Sequence, residues 1–234
     1  MSPAQAQRLV SEAPHAGPME LPELVRRATI PAAQLLAETR SALLLVDVQN
    51  RFIYGPTEGA PPGPSAKVVP PITKLLATAR GRGVPRFYVT VGHAPGPQDS
   101  APWMRRLAAM GADVKGRLTH PPLSAWASEI PSVIAPQPGE IHVKKWRFSA
   151  FYETALDVLL RGSGIETLII GGVASYGCII ATYIDACSRG FFPLLAAEAV
   201  DGVEPTQHKA AMDFMSPNHR LGVDEIVRIW SGEA

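Results

Sequence analysis

The segment from Leu168 to Thr182 constrains this chain more than any other. It opens with a run of leucine and β-branched residues, continues through small residues, and reaches Cys178 where a helical period begins. This pattern predicts a buried parallel strand, a tight turn and a helix, with Cys178 near the helix N-terminus. Backbone N–H groups at that end favour a thiolate and can also receive an oxyanion. The alternative is that Cys178 is only a small buried residue at the strand–helix junction.

The rest of the chain alternates between strand and helix patterns. Strands are predicted at residues 42–46, 84–91, 140–145, 167–171 and 192–197, with a short one near the C-terminus. Helices are predicted at residues 65–82, 101–110, 151–161, 178–189 and about 205–215. This alternation predicts an α/β fold with three layers (αβα), in which a doubly wound, mostly parallel sheet of about six strands has helices on both faces. In such a sheet the ligand site lies beyond the carboxyl ends of the strands.

We assign residues 41–234 to one domain. Two stretches differ from the regular alternation of strands and helices. Residues 1–40 are rich in alanine, proline and glutamate, and they predict an N-terminal arm that is partly helical and orders on a partner subunit. Residues 55–71 are too rich in proline for a helix or a central strand. Because this loop follows the strand that ends at Asp47, a candidate catalytic residue, we expect it to be an active-site loop or an oligomer contact.

Composition excludes several classes of function. A formal net charge of +1 over 234 residues offers no attraction for nucleic acid or for an anionic membrane. No stretch is apolar enough to span a bilayer, and the N-terminus lacks the pattern of a signal peptide. Cys178 and Cys187 lie about 13 Å apart along one predicted helix, which is too far for a disulfide. Reduced cysteines predict a cytoplasmic protein.

Three chemically active side chains stand at the carboxyl ends of three predicted strands: Asp47, Lys145 and Cys178. Asp47 and Lys145 also have ordinary structural alternatives, the first as a turn cap and the second as one of two adjacent surface lysines. Together the three provide what thiol-dependent amide hydrolysis requires. A carboxylate takes the thiol proton, a cation stabilises the charges, and the thiolate attacks a carbonyl carbon. No histidine is evident as a partner for Cys178.

Three motifs in this order resemble those of the isochorismatase-like cysteine hydrolase superfamily. They are residues 42–52 (ALLLVDVQNRF), residues 145–156, which begin KWRFSAF, and residues 172–190, which begin GVASYGC. The resemblance runs from about Ala42 to the C-terminus and leaves residues 1–40 outside it. Within the superfamily the chain looks most like the N-carbamoylsarcosine amidohydrolase, ureide and maleamate branch.

The resemblance implies a role for each of these residues. Asp47 would be the general base, Cys178 the nucleophile, and Lys145 the cation that lowers the pKa of the thiol, whereas Lys144 fits the motif less well. A cis peptide bond is implied between Val173 and Ala174, with the N–H groups of Ala174 and Cys178 forming an oxyanion hole. The implied reaction cleaves a C–N bond of a small linear amide, carbamoyl or ureido compound through a thioester, with release of ammonia or an amine.

The resemblance also bears on cofactors and assembly. Family nicotinamidases carry a metal-binding histidine two residues after the aspartate, and that position is Gln49 here. His93 stands in a turn rich in glycine and proline without an evident partner ligand. We therefore expect neither a metal nor another cofactor, and the resemblance implies a homo-oligomer, either a dimer or a tetramer.

Six residues next to the motifs are candidates for a substrate pocket. They are Phe52, Tyr54, His93, Trp146, Arg147 and Tyr176. Aromatic side chains near strand ends can line a pocket or belong to the core. Arg147 is suited to a substrate carboxylate, because a guanidinium binds that group through two hydrogen bonds. Cys187 is predicted to pack in the core instead.

Three other functions stay open on the sequence alone. They are vinyl-ether hydrolysis of the isochorismatase type, a non-catalytic oligomeric binding module on the same fold, and a thiol redox protein. The intact set of Asp47, Lys145 and Cys178 argues against the binding module. A redox protein needs a second cysteine within reach, and Cys187 is too distant along the same predicted helix.

Overall fold

A computed structural model describes residues 29–55, 57–59, 61–92, 106, 109–110, 124–215 and 217–233. Most of the helix predicted at residues 101–110 lies outside these ranges, as does His93. None of the helices among the described residues is long and apolar enough to cross a membrane.

A single parallel sheet forms the centre of the described structure. Its strands are β1 (Ser41–Val46), β2 (Arg86–Val91), β3 (Ile141–Lys145), β4 (Thr167–Val173), β5 (Phe192–Asp201) and β6 (Arg220–Leu221). They lie in the order β3-β2-β1-β4-β5-β6, and every neighbouring pair is parallel. The order reverses direction between β1 and β4, so the predicted doubly wound α/β fold is confirmed, with its switch point at these two strands.

Helices cover both faces of the sheet. They are α1 (Ala32–Glu38), α2 (Asn50–Ile53), α3 (Val69–Gly81), α4 (Ala125–Ser128), α5 (Leu156–Gly162), α6 (Ile180–Ser188), α7 (Pro205–Phe214) and α8 (Val223–Ser231). One core cluster joins the sheet to α5, α6 and α7, and a second joins it to α1, α3 and α8. Strand β1 contributes to both core clusters. Its residues Leu44 and Val46 belong to the first cluster, and Leu43 and Leu45 belong to the second, because side chains alternate along a strand.

The segment predicted to be an arm ends in a helix on the chain's own core. Leu35 and Leu36 of α1 are buried, and Leu36 belongs to the cluster that contains α3 and α8. The Thr39 hydroxyl, directly after this helix, hydrogen bonds to the Thr167 hydroxyl at the start of β4. Residues 32–38 thus pack on the core of the same chain.

The predicted proline-rich loop at residues 55–71 is wrong at its C-terminal end. Residues Pro64–Val68 form a 3₁₀ turn, and α3 begins at Val69. Pro70 and Pro71 fit there because the first turn of a helix has N–H groups without intrahelical partners, so a missing N–H costs little. The helix predicted at residues 65–82 overlaps this loop, and the structure confirms the helix from Val69 to Gly81.

Two predicted helices begin later than the sequence pattern indicates. Helix α5 starts at Leu156 rather than at residue 151, with Ala155 as its N-cap residue, and the Leu156 N–H donates to the Thr154 hydroxyl at 3.3 Å. Helix α6 starts at Ile180, after a single wide π-helical turn at Ser175–Ile179. Cys178 therefore lies in this turn and not at the N-terminus of an α-helix.

Glycine at position 172 allows β1 and β4 to approach each other at their carboxyl ends. Gly172 has a φ of 124°, and a Cβ placed on it would lie 1.9 Å from the carbonyl oxygen of Val46. A larger residue would clash with the backbone of β1 and would be strained in this conformation. The close approach brings the segment after β4 beside the segment after β1.

A buried ionic cluster stabilises the opposite, amino end of the sheet. The Glu140 carboxylate accepts hydrogen bonds from Arg80 Nε at 2.9 Å, Arg86 Nε at 3.0 Å and the backbone N–H of Gln137 at 2.9 Å. Burial alone raises the pKa of Glu140, but these hydrogen bonds outweigh it and lower the pKa to about 2. The ionised carboxylate is therefore coupled to folding.

Replacing Glu140 with glutamine should destabilise the protein at neutral pH by about 2–3 kcal/mol, because the two arginines lose their shared anion. A lowered folded-state pKa gives stability that is complete above the ordinary value and is lost as pH falls toward about 2. The difference between Glu140→Gln and the wild type, measured by urea unfolding, should therefore be smaller at pH 3 than at pH 7. The matched control is Asp213→Asn, which removes an exposed ion pair with Lys209 and should change stability little. Equal effects of the two substitutions would contradict the account.

Candidate active site

Three side chains from separate strands meet at the carboxyl edge of the sheet. Asp47 follows β1, Lys145 is the last residue of β3, and Cys178 lies in the turn after β4. The ammonium nitrogen of Lys145 is 2.8 Å from Oδ2 of Asp47 and 3.1 Å from Sγ of Cys178. A carboxylate, a cation and a thiol are thus in mutual reach beside the switch point of the sheet, where ligands of this fold class bind.

Lys145 is fully buried, and its charge is matched by three acceptors. Besides Asp47 and Cys178, its ammonium group donates to the backbone carbonyl of Arg147 at 3.0 Å. The ammonium group thus makes two hydrogen bonds, to Arg147 and Cys178, and one ion pair, with Asp47. Lys144 is exposed, because side chains alternate along β3. Of the two adjacent lysines, Lys145 is the one that reaches the cluster.

Asp47 is held in an uncommon backbone conformation. Its φ is 55°, in the left-handed region, and its N–H donates to the Val89 carbonyl at 2.8 Å. The side chain is buried, and neither carboxylate oxygen accepts a hydrogen bond of ordinary geometry from the described residues. Apart from the ion pair with Lys145, the oxygens are therefore available to accept a proton.

The electrostatics of the cluster correct one expectation from the sequence. Burial raises the pKa of the Cys178 thiol to about 12, and the negative charge of Asp47 contributes in the same direction, against the effect of Lys145. Because Asp47 and Lys145 together are neutral, the sulfur experiences little net positive charge. Lys145 lowers the pKa of the thiol as expected, but burial and Asp47 outweigh it, so the net shift is upward and favours the protonated thiol. Burial alone lowers the pKa of Lys145, but Asp47 and Cys178 reverse this and raise it.

The turn that carries Cys178 is fixed by the carbonyl of Ala174. The N–H groups of Gly177 and Ile179 both donate to it, at 3.0 and 3.2 Å. The peptide bond between Val173 and Ala174 is cis, at the position that the resemblance implies. Cys178 is therefore held between two residues that bond to one carbonyl group directly after β4.

Two of the six predicted pocket residues, Trp146 and Phe52, are substantially exposed. Trp146 follows Lys145, and its ring lies against Gly92 so closely that a Cβ there would be 3.0 Å from its Cη2 atom. Phe52 lies in α2, shortly after Asp47, and the Arg51 guanidinium stacks on its ring at 4.3 Å. Trp146 and Phe52 present aromatic surface at the carboxyl edge of the sheet.

The other predicted pocket residues have different surroundings. Tyr54 and Tyr176 are partly buried and pack against the two core clusters, Tyr54 on the α3 side and Tyr176 on the α6 side. Arg147 donates to the carbonyl of Trp146 at 2.7 Å and uses its own carbonyl to accept from Lys145. His93 lies outside the described residues.

Cys187 does not pack in the core as predicted. Its side chain is exposed on α6, because Tyr183 and Ala186 occupy the face of this helix that packs in the core. Cys187 therefore provides an internal control for thiol chemistry at Cys178.

Gln49 has a structural role that sequence reasoning missed. Its side-chain amide donates to the carbonyls of Ser128 at 2.9 Å and Val91 at 3.3 Å, and its oxygen accepts from the Val91 N–H at 3.1 Å. It joins the ends of β1, β2 and α4. Both ends of the amide are occupied by backbone groups, so this position does not fit a metal ligand. Among the described residues, no group of three or more His, Cys, Asp or Glu side chains could hold a metal ion.

Comparisons with known proteins identify the family of this chain. Residues 41–223 match the family described as the isochorismatase domain. The maleamate amidohydrolase of Pseudomonas putida is 32% identical over 176 residues, which cover 73% of this chain and 76% of the relative. A ureidoacrylate amidohydrolase of Methylobacterium radiotolerans is 29% identical over 182 residues, with coverage of 73% and 70%.

The chain is also similar to solved structures. The crystal structure of N-carbamoylsarcosine amidase from Thermoplasma acidophilum aligns with a TM-score of 0.60 and 27% identity, and covers 79% of this chain and 97% of that one. The relatives named here are amidohydrolases, which supports hydrolysis of amide C–N bonds. The family match spans most of the chain and includes all three residues of the buried cluster, so the chain belongs to the isochorismatase family.

Proposed function

We propose that this protein is a cofactor-independent cysteine amidohydrolase in which Asp47, Lys145 and Cys178 form the catalytic triad. The observation that carries the proposal is the buried Lys145 ammonium, which contacts the Asp47 carboxylate and the Cys178 sulfur at the same time. The three groups match the roles of base, cation and nucleophile. Amidohydrolases among the family relatives support the same reaction class.

In the proposed first step, Asp47 removes the proton from Sγ of Cys178 as the sulfur attacks the substrate carbonyl carbon. A carbon–sulfur bond forms, and the carbonyl π electrons move to oxygen. The N–H groups of Ala174 and Cys178 stabilise the resulting oxyanion. Asp47 then returns the proton to the leaving nitrogen, the C–N bond breaks, and ammonia or an amine departs from a thioester on Cys178.

In the second step, water cleaves the thioester. Asp47 accepts a proton from a water molecule while the water oxygen attacks the thioester carbon. The carbon–sulfur bond then breaks. The proton passes to the sulfur, the acid is released, and the resting thiol returns. Because the thiol pKa is raised, the proton moves during the attack rather than before it. Lys145 keeps its proton throughout and balances the negative charge as it moves between Asp47, the sulfur and the oxyanion.

The proposed substrates are small linear amide, carbamoyl or ureido compounds. Ureidoacrylate and maleamate, the compounds in the names of two relatives, are of this kind, and both carry a carboxylate. We assign Trp146 and Phe52 to the walls of the pocket because both expose aromatic surface near the cluster. Tyr54, Tyr176, His93 and Arg147 are proposed as further pocket residues, with Arg147 as the partner for a substrate carboxylate.

A panel of small amides and ureides tests this function through ammonia release by enzyme that has been dialysed against a chelator. Release from at least one compound, unaffected by chelation, is the expected result. Loss of activity on chelation and recovery with zinc would contradict metal-independent catalysis. If no amide reacts but a vinyl ether is cleaved, the alternative isochorismatase reaction is correct. Binding without turnover of any compound would indicate the non-catalytic module.

Replacing Cys178 with alanine should abolish turnover, because no other group can form the thioester. Cys187→Ala is the matched control and should retain nearly full activity, since Cys187 is exposed on the far part of α6. Both are measured by ammonia release, and circular dichroism shows that the fold persists. A Cys178→Ala variant with substantial turnover would remove Cys178 from the nucleophile role.

Asp47→Asn and Lys145→Ala should each reduce kcat by about 10³-fold or more, since each removes one member of an interdependent unit. The double variant should be only slightly worse than either single one. Lys144→Ala is the matched control, because this adjacent lysine is exposed and should be nearly silent. An inactive Lys144→Ala with an active Lys145→Ala would overturn the assignment.

The raised pKa of Cys178 predicts a distinctive pattern of alkylation. In a Cys187→Ala background, the rate of reaction with iodoacetamide should be low at pH 7 and still rise above pH 9, because the thiolate is the reactive form. Asp47→Asn removes a charge that raises the thiol pKa, so it should increase the alkylation rate at pH 8 while it abolishes turnover. A plateau below pH 8 in the unsubstituted site would contradict the neutral-thiol resting state.

A further inference from the structure

The segment that follows Lys145 has no regular secondary structure of its own. Residues 146–155 form bends and turns between β3 and α5. The carbonyl of Arg147 within it accepts a hydrogen bond from the Lys145 ammonium at 3.0 Å. The position of this segment therefore helps to determine where the ammonium points.

One hydroxyl group connects this segment to the backbone of Cys178. Oγ1 of Thr182 donates to the Cys178 carbonyl at 2.6 Å and accepts from the Ala150 N–H at 3.0 Å. Thr182 and Ala150 are both fully buried, so water does not replace either bond. A hydroxyl has one donor and two acceptor positions, and it can serve both partners together.

A second contact between the same elements supports this connection. Oγ of Ser149 donates to the Asp185 carboxylate on α6 and accepts from the Phe151 N–H. Two adjacent residues of the irregular segment thus bond to side chains one turn apart on the helix that follows Cys178. The contacts form a closed path from Lys145 through Arg147, Ala150 and Thr182 to Cys178, whose sulfur accepts from Lys145.

We propose that Thr182 is a positioning residue, whose hydroxyl keeps the segment after Lys145 and the turn of Cys178 in register so that the Lys145 ammonium stays against the sulfur. Thr182 acts through its hydrogen bonds to the Ala150 N–H and the Cys178 carbonyl. The inference rests on the proposed function for its effect on turnover. Its effect on the reactivity of Cys178 is independent of any substrate.

The test compares Thr182→Val, which keeps the shape but removes the hydroxyl, with Thr182→Ser, which keeps the hydroxyl. Thr182→Val should lower kcat by about 10-fold or more with KM almost unchanged, because reacting groups are displaced while the pocket persists. In a Cys187→Ala background it should also slow alkylation of Cys178 by iodoacetamide at pH 8, since the ammonium no longer favours the thiolate. Thr182→Ser should restore both quantities.

Thr73→Val is the matched control. The Thr73 hydroxyl also donates to a carbonyl four residues earlier in a helix, that of Val69 at 2.8 Å, but on α3. It should leave kcat and the alkylation rate unchanged. If Thr182→Val does not fold, Thr182→Ala removes the hydroxyl with less bulk, and the same outcomes apply.

Two results would overturn the proposal. One is a Thr182→Val variant whose alkylation rate and kcat match the wild type, even if its melting temperature falls, which would indicate a purely structural bond. The other is a Thr182→Ser variant as impaired as Thr182→Val. If no amide is hydrolysed by the wild type, the proposed function fails while the alkylation comparison still decides the role of Thr182.

Discussion

The buried ammonium group of Lys145 is the interaction on which the rest of the site depends. Removing a charge of this kind from water costs several kcal/mol, and the cost is offset only when its partners are well placed. Here the partners are the Asp47 carboxylate, the Cys178 sulfur and the Arg147 carbonyl. Because the carboxylate neutralises the ammonium, the cluster as a whole favours a resting thiol. The resting site therefore favours the Asp47 carboxylate, which can accept a proton, beside a protonated Cys178 thiol rather than a free thiolate.

The parallel sheet explains how residues so distant in sequence reach one point. The carboxyl ends of β1 and β4 are neighbours at the switch point, and Gly172 lets their backbones approach beside Val46. β3 lies two strands away, so only a long side chain at its end can reach the same place. Lysine meets that requirement, and its direction is set by the alternation that leaves Lys144 exposed.

The sequence was sufficient to predict the fold class, because the strand and helix patterns alternate along most of the chain. It also placed Asp47, Lys145 and Cys178 at strand ends, where parallel strands bring side chains together. The thiol pKa was not predictable, since it depends on a neutral ion pair that forms only in the folded chain. The exposure of Cys187 depends on which face of α6 packs against the sheet, and the role of Gln49 depends on how three segment ends meet. Local pattern does not contain either of these facts.

The most direct test of the account is to trap the covalent intermediate. A substrate whose turnover yields ammonia is mixed with the enzyme, quenched in acid during the steady state, and analysed by intact-protein and peptide mass spectrometry. The account predicts an acyl group on the peptide that contains Cys178, which neutral hydroxylamine removes as expected for a thioester. It also predicts that the adduct is absent from Cys178→Ala and from the peptide region of Cys187. Turnover with no adduct on Cys178 at any time, together with full activity of Cys178→Ala, would contradict it.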